Sequence, residues 1–193
     1  MVPSEIMTSS SSAVAPWGEL DADEKRQRLL DVAQDVFTER GLEATMPTIA
    51  AAAGVGVGSL YRSYGSKEDL VAALVIRQLR LLQAEIRAAG EQEPAWPAIE
   101  RSVRTIADRQ ATNMLLRGAL SLTSERSDVV TALGELSLAW QLLIDRARQE
   151  GAVRTDATVK DLRFLFAAAR AADEVEAGGR DRVLDLMLEA LRA

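Results

Sequence analysis

Residues 54–70 read GVGVGSLYRSYGSKEDL. Glycines stand at alternate positions 54, 56 and 58, and an aromatic and basic stretch follows. Close-set glycines let a backbone approach a phosphate. That phosphate belongs either to a bound nucleotide or to DNA, and the flanking residues bear on the choice. A dinucleotide-binding turn needs G-x-G-x-x-G directly after a strand. Here the spacing is G-x-G-x-G, and the alanine-rich run at 49–53 before it reads as helix. The P-loop pattern is absent too, because Gly65, Ser66 and Lys67 come in the wrong order for it. The stretch instead suits a helix-turn-helix, in which two short helices meet steeply across a tight turn that carries glycine. Ile49 and Ala50 would lie on the first helix, Gly54 and Val55 in the turn, and Leu60 and Tyr64 on the second. Val55 and Leu60 are expected to plug the core, while Ala50 and Ala53 allow close approach. An ordinary corner between two helices would account for Gly54, Val55 and Leu60. It would not account for Ser59, Tyr61, Arg62 and Ser63 gathered on one short helix of little apolar content. Those groups suit phosphate oxygens and base edges.

Working outward, helical spacing recurs along the chain and no alternating strand pattern is present. Leu29, Leu30, Ala33, Val36 and Phe37 make one face of a helix over 23–40, which Gly41 ends. Thr45 can cap a helix reaching 53, with Pro47 in the first turn, where a missing N–H does no harm. The next short helix covers 57–64. Ser66 caps a long helix from 67 to about 89, where AAGEQEP interrupts it. Further helices are expected over 96–110, 114–122, 128–149, 158–172 and 180–192, separated by SERSD, EGAVRTD and EAGGR. The fold class is therefore all-α, with about nine helices.

Composition narrows the chemistry. The 193 residues include no cysteine and no histidine. Disulfides, thiolate nucleophiles, imidazole metal ligands and histidine bases are therefore excluded. The carboxylates are scattered over helix faces, and no set of acids suggests a metal site, so neither enzymatic activity nor a cofactor is expected. The net charge is −6. An acidic chain is a poor general coat for nucleic acid, yet between Arg40 and Lys67 three cations stand against the single carboxylate Glu43. No apolar run approaches the roughly 20 residues of a membrane span. The Ser-rich start lacks the basic and apolar regions of a signal peptide. It reads as a disordered tail, with Met7 a second candidate start, and a cytoplasmic location is the expectation.

RQRLLDVAQDVFTERGLEAT followed by PTIAAAAGVGVGSLYRSYGSKEDLVAAL resembles the N-terminal DNA-binding domain of TetR-type transcriptional regulators, over about residues 23–75. EGAVRTDATVKDL resembles a segment that precedes the penultimate helix in such proteins. The sequence departs from the family pattern at Gly56, where a Ser or Thr cap is frequent, at Ser63, where an aromatic or His is frequent, and at Gly65, where Pro is frequent. The resemblance implies a sequence-specific regulator of double-stranded operator DNA, acting as a repressor. The helix at 57–64 would enter the major groove. Thr45 and Thr48 would hold phosphate, Gly58 would let the backbone come close, and Ser59 and Tyr61 would bond phosphates. Arg62 would read guanine, Ser63 would make a weaker contact, and Val57 would touch a thymine methyl. Lys67 would meet the DNA backbone, or else be a solvated first-turn charge.

The resemblance implies three regions: a tail at 1–20, a helix-turn-helix domain at 21–75, and a helical effector and dimerisation domain at 76–193. The homodimer would use the last two helices. Leu162, Leu165, Phe166 and Ala169 share one face there, and Val183, Leu184, Met187 and Leu191 share another. A small-molecule effector needs a few polar groups on apolar faces. Trp96, Gln110, Asn113, Arg117, Trp140 and Gln141 are the candidates. The rival reading is a helical protein-interaction module that never touches DNA.

Overall fold

Asp21 starts the first helix. Its carboxylate accepts the Glu24 N–H at 2.8 Å, and Glu24 accepts the Asp21 N–H in return at 2.9 Å, a capping box that satisfies two orphan donors. The computed structural model describes residues 17–92, 94–112 and 114–193, with the backbone alone at 92, 111, 112 and 114–117. Among the described residues a short 3₁₀ turn precedes nine α-helices: α1 Ala22–Arg40, α2 Met46–Ala52, α3 Val57–Ser63, α4 Lys67–Gln92, α5 Ala95–Thr112, α6 Met114–Thr123, α7 Ser127–Gln149, α8 Val159–Val175 and α9 Gly179–Leu191. No strand forms among them; Val153 and Arg192 make one isolated bridge. Among the described residues no helix is long and apolar enough to cross a membrane.

The helix α4 runs past the interruption expected at 89, through Gly90 to Gln92. A Cβ at Gly90 would lie 3.3 Å from Leu143 Cδ1. The glycine admits α7 at close range, so tertiary packing overrides its weak helix propensity. Two apolar cores share α4. The first joins α1, α2 and α3 to Leu70, Leu74, Val75 and Leu79, and it draws Ala119, Val129 and Ala132 from α6 and α7. The second joins Leu82 and Ile86 of α4 to α5, α7, α8 and α9. Packing is therefore continuous past residue 75. Gly118 of α6 lies against the α1–α2 loop, where an added Cβ would be 3.1 Å from Leu42 Cδ1.

The last two helices correct an expectation. Leu162, Leu165, Ala169, Leu184 and Leu191 are buried inside the protomer, and Phe166, Val183 and Met187 pack against the same core. The buried members are covered within the protomer, α8 by α5, α7 and α9, and α9 chiefly by α8, while Phe166, Val183 and Met187 stay half-buried. The apolar side chains left outside on these helices are Phe164, Val175 and Leu186. At the α8–α9 corner a Cβ on Gly179 would fall 2.5 Å from the Ala172 carbonyl oxygen. Backbone cannot step aside as a flexible side chain can. Gly179→Ala is expected to lower stability by about 1–3 kcal/mol, the usual effect of forced overpacking, as read by chemical denaturation. An unchanged midpoint would show that the corner relaxes freely.

Candidate nucleic-acid interface

The turn between α2 and α3 is built from backbone hydrogen bonds. Gly54 adopts φ +67°, a conformation that favours glycine. The Val55 N–H donates to the Ala50 carbonyl at 3.0 Å and the Gly54 N–H to that of Ala51 at 3.1 Å, a complete Schellman motif. Ile49, Ala50 and Leu60 are buried and pin both helices to α1, while Val55 is half-buried at the core's edge. Thr45 caps α2 as expected, accepting the Thr48 N–H at 3.4 Å, with the two hydroxyls 2.9 Å apart. Gly56 begins α3 without a side-chain cap.

Because Leu60 and Tyr64 face inward, the opposite face of α3 presents Val57, Gly58, Tyr61 and Arg62 to solvent, with Val57 41% and Tyr61 47% exposed. Arg62 donates to the Ser59 hydroxyl at 2.8 Å. Ser59 thus meets the guanidinium as an acceptor, and its own O–H stays available to donate to a phosphate. Ser63 is a second correction. It is half-buried, its hydroxyl bonds back to the Ser59 carbonyl at 3.2 Å, and its own carbonyl accepts from Arg26. A short hydroxyl near a helix end finds backbone acceptors more readily than a distant ligand.

Ser66 caps α4: its hydroxyl accepts the Asp69 N–H at 3.0 Å and donates to the Asp69 carboxylate at 2.8 Å. That bond, with Arg126 at 3.0 Å, holds the Asp69 carboxyl below the usual range. An added Cβ at Gly65 would approach the same carboxylate to 3.0 Å, which explains a glycine there. Lys67, half-exposed at the head of α4, has no hydrogen bond or ion pair among the described residues.

Sequence reasoning missed Arg26. Its guanidinium stacks 4.3 Å from the centre of the Tyr64 ring, and the Tyr64 hydroxyl donates to the Arg26 carbonyl at 2.7 Å. Burial pushes the Tyr64 phenol up, and Arg26 partly opposes it. The pairing spans 38 positions, and no local pattern announces it. Arg126 is of the same kind, joining the α6–α7 corner to the head of α4.

Gly58 tests what the outward face is for. Within the chain its Cβ would meet only Arg62 Nη1 at 3.5 Å, an ordinary contact. Gly58→Ala should therefore stabilise the free protein by up to about 1 kcal/mol through helix propensity, while weakening DNA binding where α3 enters the groove as the resemblance implies. A stabilised variant that binds DNA as before would place the close approach elsewhere.

Four of the expected effector residues have side chains among the described residues. Trp96 is buried with Arg192 stacked 5.1 Å above its ring, and Trp140 is buried against Phe166. Gln141 donates to Asp145 at 2.9 Å on its own helix. Polar groups on amphipathic helices often find partners one turn away, so their presence on an apolar face is no guide to a cavity. Asn113 and the side chain of Arg117 lie outside the described residues. Gln110 borders a cleft of about 210 Å³, with Phe166, Ala169, Arg170 and Arg180 on its other walls. Arg180 there is ion-paired to Asp108 at 3.0 Å and Asp181 at 3.1 Å. A second cleft, of about 300 Å³, lies between α4 and α5 beside Ile86, Ala89, Ser102 and Thr105; the sequence reading did not anticipate it. Among the described residues no group of three or more acids could hold a metal.

Residues 29–74 match the model of the tetR family of bacterial regulatory proteins, and residues 97–193 match the C-terminal domain of SbtR-like transcriptional regulators. The chain is 31% identical over 156 residues to the HTH-type transcriptional repressor KstR2 of Rhodococcus jostii, covering 74% of each. An HTH-type transcriptional regulator of Staphylococcus aureus is 42% identical over 60 residues, 31% of this chain and 32% of that protein. Among solved structures, a TetR transcription regulatory protein from Mycobacterium vanbaalenii superposes with a TM-score of 0.67 at 27% identity, over 90% of this chain and 98% of its own. The complex of SmeT with triclosan shares the fold, with a TM-score of 0.63 at 21% identity, over 87% and 91%.

Proposed function

Because the chain belongs to the TetR family and is a DNA-binding transcriptional regulator, we propose that it is a homodimeric repressor whose α3 helices read an operator and whose C-terminal domain answers a small molecule. The observation that carries the reading is the outward face of α3. Val57, Gly58, Tyr61 and Arg62 stand in water on a helix held rigidly from behind by Leu60 and Tyr64. A rigid helix with an exposed arginine aimed by Ser59 has the form required for bidentate reading of guanine. Tyr61, Lys67 and the Thr45–Thr48 pair flank it as phosphate ligands.

Support for repression comes from the similarity to KstR2, a repressor. Support for a small-molecule signal comes from the two clefts in the helical domain and from SmeT, a protein of this fold that binds triclosan. The signal would reach the DNA-binding end along α4, which threads both cores. It would also pass through the Gly118–Leu42 and Arg126–Asp69 contacts. Such coupling is commonly worth about 1–3 kcal/mol. The protein would act in the cytoplasm, where its operator lies.

Selection of bound sequences from random duplex DNA by the purified chain tests the reading. The expected product is a two-fold symmetric site whose half-sites lie about one helical turn, or a multiple of it, apart. Recovery of unenriched sequences would leave a helical interaction module as the better account.

A further inference from the structure

Arg26 lies near the start of α1, 37 residues before the carbonyl its guanidinium engages. That carbonyl belongs to Ser63, the last residue of α3, where a helix carries its partial negative charge and favours a cation. The flat face of the same guanidinium covers the buried Tyr64 ring, a geometry that favours arginine over lysine. Tyr64 returns a hydrogen bond from its hydroxyl to the Arg26 carbonyl. Three contacts therefore tie the first turns of α1 to the final turn of α3, immediately beside Arg62.

We propose that Arg26 is a positioning residue: it holds the C-terminal end of α3 so that Arg62 meets its base squarely, and it makes no essential contact with DNA. The proposal rests on the reading of α3 as the recognition helix. A bidentate hydrogen-bond pair tolerates little rotation, and Arg62 sits one residue from the held carbonyl. The N-terminal end of α3 is joined to α2 through the backbone bonds of the Gly54 turn but carries no side-chain cap. Arg26 supplies the side-chain restraint at the other end.

The test uses the full chain with Arg26→Gln and Tyr64→Phe. Affinities for the selected operator and for random duplex are measured over a range of salt, and amide hydrogen exchange is followed at Ser63 and Tyr64. Arg26→Gln is expected to weaken operator binding by about 5- to 100-fold for each half-site, the range for one spoiled base contact. The salt dependence should be unchanged, and the two amides should exchange faster. Tyr64→Phe keeps every charge and the ring but loses the returned hydrogen bond, so it should shift both readouts the same way by less. A salt slope reduced by about 0.9 per subunit, the signature of one lost phosphate contact in each half-site, with exchange unaltered, would make Arg26 a phosphate clamp and overturn the proposal. Operator affinity that stays at the wild-type value would overturn it as well, whatever the exchange. If wild-type protein fails to prefer the operator over random DNA, the recognition-helix reading is what fails; the exchange rates still decide whether Arg26 restrains α3.

Discussion

Replacing Phe164 and Leu186 together by glutamate is expected to turn the protein into a monomer and to abolish tight operator binding. Phe164 is 66% exposed on α8 and Leu186 54% exposed on α9, and Val175 lies bare farther along α8. These are the apolar side chains that the protomer's own core leaves uncovered on the helices proposed to pair. Burying a Phe or Leu side chain is worth about 1.5–3 kcal/mol. A two-fold interface meets each substitution twice, so four such burials are lost and four carboxylates are brought face to face. Because the positions are exposed, the fold itself should be altered by no more than about 0.5 kcal/mol. Sedimentation velocity reads the assembly and operator titration reads the consequence. A double variant that sediments as a dimer would move the interface to another face. The outer side of α7, with Val130, Leu138 and Leu142 exposed, would be the next surface to charge.

Arg62→Ala carries the second large effect. A well-made arginine–guanine pair contributes about 1–3 kcal/mol of discrimination, and a dimer uses it in both half-sites, so roughly 2–6 kcal/mol is at stake in one operator. Affinity should fall for the selected operator, and the preference should relax at one base pair in each half-site while other positions stay selective. Titrations against operators substituted one position at a time give the answer. Equal weakening on operator and random DNA would make Arg62 a phosphate clamp. Ser59→Ala, which removes the partner that aims the guanidinium, should show a milder form of the same relaxation.

What was legible in the sequence was what repeats locally. Helix starts at Thr45 and Ser66 follow from side-chain oxygens that reach N–H groups three residues on. The turn at Gly54 follows from a backbone conformation that favours glycine. The buried faces of α1 and α3 follow from helical spacing. The outward set on α3 was legible in the same way: once Leu60 and Tyr64 are known to point inward, Val57, Gly58, Tyr61 and Arg62 must point out. These features depend on residues within a turn or two of one another, and so one sequence suffices to place them.

The tertiary structure decided whatever depends on which helix covers which. The apolar stripes of α8 and α9 look the same in sequence whether they meet a sister subunit or other helices of the same protomer. Only the fold shows that Leu162, Leu165 and Leu184 are consumed internally and that Phe164 and Leu186 are left outside. Trp96, Trp140 and Gln141 read in sequence as polar or aromatic groups on apolar faces, and only the fold sets Arg192, Phe166 and Asp145 against them. Ser63 was expected to make a weaker DNA contact, and its hydroxyl instead bonds back to the Ser59 carbonyl one turn earlier. Arg26 and Arg126 draw their meaning from partners 37 and 57 positions away, Ser63 and Asp69. Local periodicity carries no information about such pairs: the energy that selects them arises only when the helices have packed, and a single chain records it as isolated charges.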